Sequence, residues 1–138
     1  MKILLTGANG YIGMRLLPLL LEMGHHVICA VRDETRLSVD KEIREQIEVI
    51  EIDFLKDPKE NILPKDIDAA YFLIHSMSAS IHDFDELEAT TARNFNKTVA
   101  YTNIQQVIYL SGIVNDEVLS KHLRSRKNVE DILYEGDF

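Results

Sequence analysis

The sequence predicts an α/β domain built on a doubly wound parallel sheet, and three observations carry the prediction. Short apolar runs alternate with longer segments of helical period along the whole chain, the pattern of parallel strands joined by crossover helices. The first run, Ile3-Leu4-Leu5, enters a helical pattern through Gly7, Gly10 and Gly13. A second apolar run, Val27 to Val31, follows at the distance expected of a βαβ unit.

Taken in order, strands are expected at about 2–6, 26–31, 47–52, 68–74 and 105–111. Helices are expected at about 11–23, within 34–46, at 82–102 and at 119–134. In the first helix Ile12, Leu16, Leu17, Leu20 and Leu21 form the face that packs back on the first strand, while Pro18 should kink the helix or end its first half. The longest helix carries Phe84, Leu87, Thr91, Phe95, Thr98 and Thr102 along one stripe, with Glu86, Arg93 and Lys97 elsewhere, so it should cover the sheet. Pro58 and Pro64 bracket a connection with room for at most one helical turn. No repeat, low-complexity segment or linker divides the chain, which reads as one domain over 1–138.

Composition narrows the function classes. With 138 residues, 46% hydrophobic and 28% charged, the chain can bury one core. The single Cys29 lies inside an apolar strand, so neither a disulfide framework nor a cysteine zinc site is expected, and a reducing compartment suits it. A lone Lys followed by a short strand is too brief for a signal peptide, and no apolar run reaches a membrane span; a cytoplasmic location is expected. Fifteen basic against twenty-three acidic residues, a formal net charge of -8, argue against a nucleic-acid or anionic-membrane binder.

An anion must therefore be held by local design, and the glycine segment offers one. Gly7 permits a tight turn, Gly10 lets backbone approach a phosphate, and Gly13 allows close packing of the helix on the strand. The unpaired N–H groups and positive dipole end of the helix then face a pyrophosphate, with Asn9, Tyr11 and Ile12 in the same turn. The spacing is G-x-x-G-x-x-G with Ala8 in the first gap, not G-x-G-x-x-G. A purely structural glycine turn in another α/β protein is the alternative.

The segments TGANGYIG, AVRD, YFLIHSM, VIYLSGI and LSKHLRSRKNVEDIL resemble the short-chain dehydrogenase/reductase superfamily, most of all its atypical branch, the NmrA-like and epimerase-like proteins. The resemblance spans essentially the whole chain. It implies a Rossmann fold, a dinucleotide cofactor, and a further strand and substrate region beyond Phe138 that this chain does not include.

At the end of the second strand a carboxylate would bind the ribose hydroxyls of NAD, and an arginine the 2′-phosphate of NADP. Val31 occupies the acid position and Arg32 follows it, with Arg36 about one turn on. This favours NADP(H) over NAD(H), since guanidinium groups contact phosphate bidentately; the alternative is a surface Arg32 paired with Asp33. Asp53 resembles the family's acceptor for the adenine amino group, with Phe54 and Leu55 beside the ring, or else caps a short turn. Leu73, Ile74, His75 and Ser76 should pass the ribose and phosphate at the carboxyl edge of the sheet, chiefly through backbone. His75, His82, Asp83 and Asp85 crowd one loop without metal-ligand spacing, so no metal is expected.

Hydride-transferring members of the superfamily carry a Tyr-x-x-x-Lys pair, and the resemblance places His122 and Arg126 at those positions. His122 is then the candidate acid or base, and Arg126 the group that fixes ribose or a substrate anion; a solvated basic helix start is the alternative. Ser111 resembles the serine that bonds a substrate carbonyl, with Gly112 the alternative occupant of that slot. The resemblance implies the NADP(H)-binding part of an oxidoreductase or nucleoside-diphosphate-sugar epimerase-like protein acting on an unknown small molecule. The missing pair leaves a non-catalytic NADP(H) redox sensor, or a structural subunit, as alternatives, and the amphipathic helices suggest a homodimer.

Overall fold

The computed structural model describes residues 1–57, 60–75, 84–112 and 121–138. The chain runs β1 (Lys2–Thr6), α1 (Tyr11–Glu22), β2 (His26–Val31), a 3-10 turn (Glu34–Arg36), α2 (Lys41–Arg44), β3 (Ile47–Glu51), β4 (Ala69–Phe72), α3 (Phe84–Val99), β5 (Gln106–Tyr109) and α4 (Lys121–Tyr134). All strand pairs are parallel, in the order β3-β2-β1-β4-β5. The chain therefore reverses its direction of travel across the sheet between β1 and β4, and the crevice at their carboxyl ends is where this topology binds ligands.

Alternation along the central strands divides the core into two layers. Ile3 and Leu5 of β1 and Val27, Cys29 and Val31 of β2 pack with Leu17 and Leu20 of α1. Leu4, Ile28, Ala30, Ala70 and Phe72 face the other way, onto Ala92, Phe95 and Val99 of α3 and Val129, Ile132 and Leu133 of α4. Strands buried on both faces need apolar residues at every position. That burial pushes the Cys29 thiol up to about 12, only partly offset by Arg44, so at neutral pH it is an inert core group.

Four sequence expectations change in detail. Pro18 does not end the first helix, which continues to Glu22; a proline there removes one intrahelical bond, while buried Leu17 and Leu20 hold both halves on the sheet. The helix expected within 34–46 is split into the 3-10 turn and the single turn of α2, because the extended backbone at Leu37 carries that buried side chain into the core. The third, fourth and fifth strands are shorter than expected, and α3 ends at Val99, so Thr102 lies beyond it and donates back to the Val99 carbonyl at 2.6 Å. Pro58, and the expected helix starts at 82 and 119, fall outside the described residues.

The inner face of α3 is more polar than its stripe suggested. Glu88, Thr91, Asn94 and Thr98 are all buried. The two threonines satisfy their hydroxyls on carbonyls one turn back, at Leu87 and Asn94. Asn94 donates to the carbonyls of Phe54 and Lys56, both at 2.9 Å, and so fixes the loop that follows β3.

Thr6 joins β1 to β4 where the ladder ends. Its buried hydroxyl donates to Tyr71 O at 2.9 Å and accepts from Leu73 N at 3.2 Å. Thr6→Val preserves the shape and leaves both backbone groups without this partner. Urea denaturation is expected to show a loss of about 1–3 kcal/mol; an unchanged midpoint would mean the bridge carries no stability.

Candidate functional site

The carboxyl ends of β1, β2, β3 and β4 open into a cavity of about 620 Å3. Its floor is the glycine turn. Gly7 has a left-handed φ of 66°, and a Cβ there would stand 2.7 Å from the Leu73 carbonyl oxygen, so this residue must be glycine for both conformation and space. Gly13 is buried, and a Cβ on it would collide with the Gly7 carbonyl and lie 2.8 Å from the Ala8 Cα. Its absence thus seats the helix on the turn itself, a tighter role than packing against the strand.

Gly10 closes the turn by donating its N–H to Gly7 O at 2.9 Å and occupies the N-cap of α1 with no side-chain cap. The N–H groups of Tyr11, Ile12 and Gly13 therefore begin the helix at the cavity without an intrahelical acceptor. This is the polarity a pyrophosphate requires. Asn9 and Tyr11 are exposed at the rim, and the Arg15 guanidinium stacks on the Tyr11 ring at 3.6 Å.

Arg32 and Arg36 both line the cavity and are exposed. Asp33 is committed elsewhere: one carboxylate oxygen accepts from Thr35 N at 3.0 Å and Thr35 Oγ1 at 2.6 Å. The hydroxyl bond above all holds its carboxyl below the usual range. Glu34 is tied to Glu51 through its N–H and to Arg44 through its carboxylate. Among the described residues the ion pairs include neither Arg32 nor Arg36, so the surface pair of Arg32 with Asp33 does not form.

Beyond β3, Asp53 lines the cavity while its Oδ1 accepts from Leu55 N at 3.2 Å, so it caps the short turn as well. Phe54 is buried, with its ring 5.8 Å from that of Phe95; it belongs mainly to the core, and exposed Leu55 forms the rim beside it. Leu73, Ile74 and His75 form the opposite wall. Ser76, His82 and Asp83 lie outside the described residues.

Ser111 and Arg126 are brought near each other, with Gly112 beside Ser111 standing against the Arg126 side chain, but of the three candidate catalytic residues only Arg126 lines the described cavity. Arg126 reaches the cavity and donates to Leu110 O at 3.3 Å. Ser111 is absent from the described lining, and its hydroxyl donates to Glu130 at 3.1 Å. His122 is exposed in the first turn of α4 and also absent from the lining. Leu87 and Thr91 line the cavity from α3, although the sequence marked them only as packing residues. Ala30, Val31, Asp33 and Ile52 complete the wall at the ends of β2 and β3. Their apolar members were legible only as strand residues.

A family model described as NAD(P)H-binding matches residues 7–135. No curated protein matches the chain in sequence. Among solved structures, a protein assigned as an NAD-dependent epimerase/dehydratase from Bacillus halodurans superposes with a TM-score of 0.77 at 22% identity, over 99% of this chain and 65% of that one. UDP-N-acetylglucosamine 4-epimerase from Bacillus cereus gives 0.71 at 21% identity, over 97% and 52%. Yeast methylglyoxal/isovaleraldehyde reductase, solved with NADPH, gives 0.72 at 15% identity, over 98% and 52%. The chain thus spans between about half and two thirds of the length of these proteins, and at such identities the likeness is one of fold. Among the described residues no helix is long and apolar enough to cross a membrane. The glycine turn, the strand order and the family match over nearly the full length agree: the chain belongs to the family of NAD(P)H-binding domains.

Proposed function

We propose that this chain is the NADP(H)-binding domain of a cytoplasmic oxidoreductase or nucleoside-diphosphate-sugar epimerase-like protein. The observation that carries the cofactor preference is the pair Arg32 and Arg36 at the end of β2, with the neighbouring Asp33 carboxylate engaged by Thr35. A 2′-phosphate there meets two guanidinium groups, with the Asp33 carboxylate turned to Thr35 and its charge still felt by Arg36. The N–H groups of Tyr11 to Gly13 would hold the pyrophosphate, the wall of Asp53 and Leu55 the adenine, and Leu73 to His75 with Arg126 the ribose and nicotinamide end. When bound, the nicotinamide supplies or takes up hydride; the protein binds and orients it, and excludes water through the apolar wall of Ile52, Leu73, Ile74 and Leu87.

A second reading, a nucleotide-binding redox sensor without turnover, is favoured by the positions of Ser111 and His122, neither of which lines the described cavity. The first reading has the broader support, because superposed neighbours include epimerase and reductase structures and one candidate catalytic residue, Arg126, lines the cavity.

The cofactor claim is tested by calorimetric titration with NADPH and NADH, repeated on Arg32→Ala. NADPH is expected to bind more tightly, and the substitution to weaken it about 10- to 100-fold, as for loss of a hydrogen bond to a charged group worth about 1.5–3 kcal/mol, with NADH little changed. Equal loss for both nucleotides would contradict 2′-phosphate recognition. The reading includes a homodimer formed through α3 and α4. Light scattering is expected to give twice the 15.8 kDa chain mass, and a monomer mass throughout the working concentration range would contradict it.

A further inference from the structure

One side chain stands between the cavity and a buried charge. His75 lines the cavity just beyond β4, and its Nδ1 lies 3.8 Å from Glu88 Oε1. Glu88, 5% exposed on the inner face of α3, accepts a 2.8 Å hydrogen bond from Ser125 Oγ of α4 through its other oxygen. Ser125 itself is 2% exposed. A carboxylate this deep is tolerated when hydrogen-bonded and set beside a basic group, and Ser125 and His75 meet these two needs. Three segments that are distant in sequence converge to do this, which an incidental surface contact would not require.

Tyr109 of β5 stands on the third side, its ring 6.4 Å from that of His75. Burial first, and then the charge of Glu88, push its hydroxyl up to about 12. Tyr109 is not among the residues that line the described cavity. His75 is then the titratable imidazole placed on the described cavity, since His122 does not line it.

We propose that His75, oriented by Glu88 and Ser125, is the proton-transferring residue of this site. The proposal rests on the oxidoreductase reading and deepens it. A bound reduced nicotinamide would supply hydride to a carbonyl carbon, and the matching proton must then reach the carbonyl oxygen. Protonated His75 gives its Nε2 proton to that oxygen as C=O becomes C–OH. The imidazole is left neutral and recovers a proton from water at the cavity mouth. In the reverse direction neutral His75 takes the hydroxyl proton through the same nitrogen. Nδ1–H stays toward Glu88 throughout, so the buried carboxylate decides which ring nitrogen is available. Glu88 is accordingly a positioning residue.

The test is nitrogen-15 NMR of the histidine rings, on wild type and Glu88→Met, under alkaline conditions where neutral imidazole dominates, with and without NADPH. Wild-type His75 is expected in the Nδ1–H form and to shift toward Nε2–H in Glu88→Met. NADPH is expected to move the His75 ring signals and leave those of His122 in place. Wild-type His75 in the Nε2–H form overturns the proposal, as does a His75 unmoved by NADPH that calorimetry shows to be bound. If Glu88→Met does not fold, the wild-type tautomer and its NADPH response decide the matter alone. No NADPH binding overturns the oxidoreductase reading and the proposal with it; that failure is distinguishable, because the tautomer is read without nucleotide.

Discussion

The close approach of Gly7 to the exit of β4 is the constraint on which the rest of the site depends. Leu73 O would lie 2.7 Å from any Cβ at position 7, so the turn after β1 and the segment after β4 are packed backbone to backbone. Two further contacts set that spacing: the Thr6 hydroxyl between Tyr71 and Leu73, and the helix start at Gly13 seated on Gly7 and Ala8. The N-terminal end of α1 and the wall that faces it are therefore packed as one unit. A cavity at the reversal of strand order follows from topology, but its width at this point follows from missing side chains.

Around that unit the walls are held by buried polar groups, not by apolar packing alone. Asn94 fixes the loop carrying Asp53 through two carbonyls, and Glu88 draws Ser125 and His75 toward α3. Each such group is costly unless its bonds are made, so the bonds of Asn94 and of Glu88 with Ser125 favour the observed register of α3. The helix thereby ties the Asp53 side of the cavity to the opposite side, where Arg126 and His75 stand. The proton transfer proposed above belongs to the second of these sides.

Much of this was legible in the sequence because it is local. The glycine turn lies within seven residues, the strand periodicity needs no partner, and Arg32 follows directly on a recognisable strand end. The residues from Gly7 to His75 that the sequence expects around a cofactor line one cavity, while Ser76 lies outside the described residues. What could not be read depends on distant residues. Thr6 acquires its meaning from Tyr71 and Leu73, and Glu88 from Ser125, 37 positions away. The nearness of His75 to the Glu88 carboxylate of α3 also has no local sequence signal. The split of the 34–46 helix likewise depends on where Leu37 finds the core.

Two-dimensional amide NMR of the protein titrated with NADPH shows whether the dinucleotide sits on the glycine turn between β1 and β4. The largest shifts are expected at the N–H groups of Gly10 to Gly13, at Arg32, and at Leu73 to His75. Saturable shifts centred instead on the outer groove between Lys56 and Lys97, with the glycine turn unmoved, would contradict that placement.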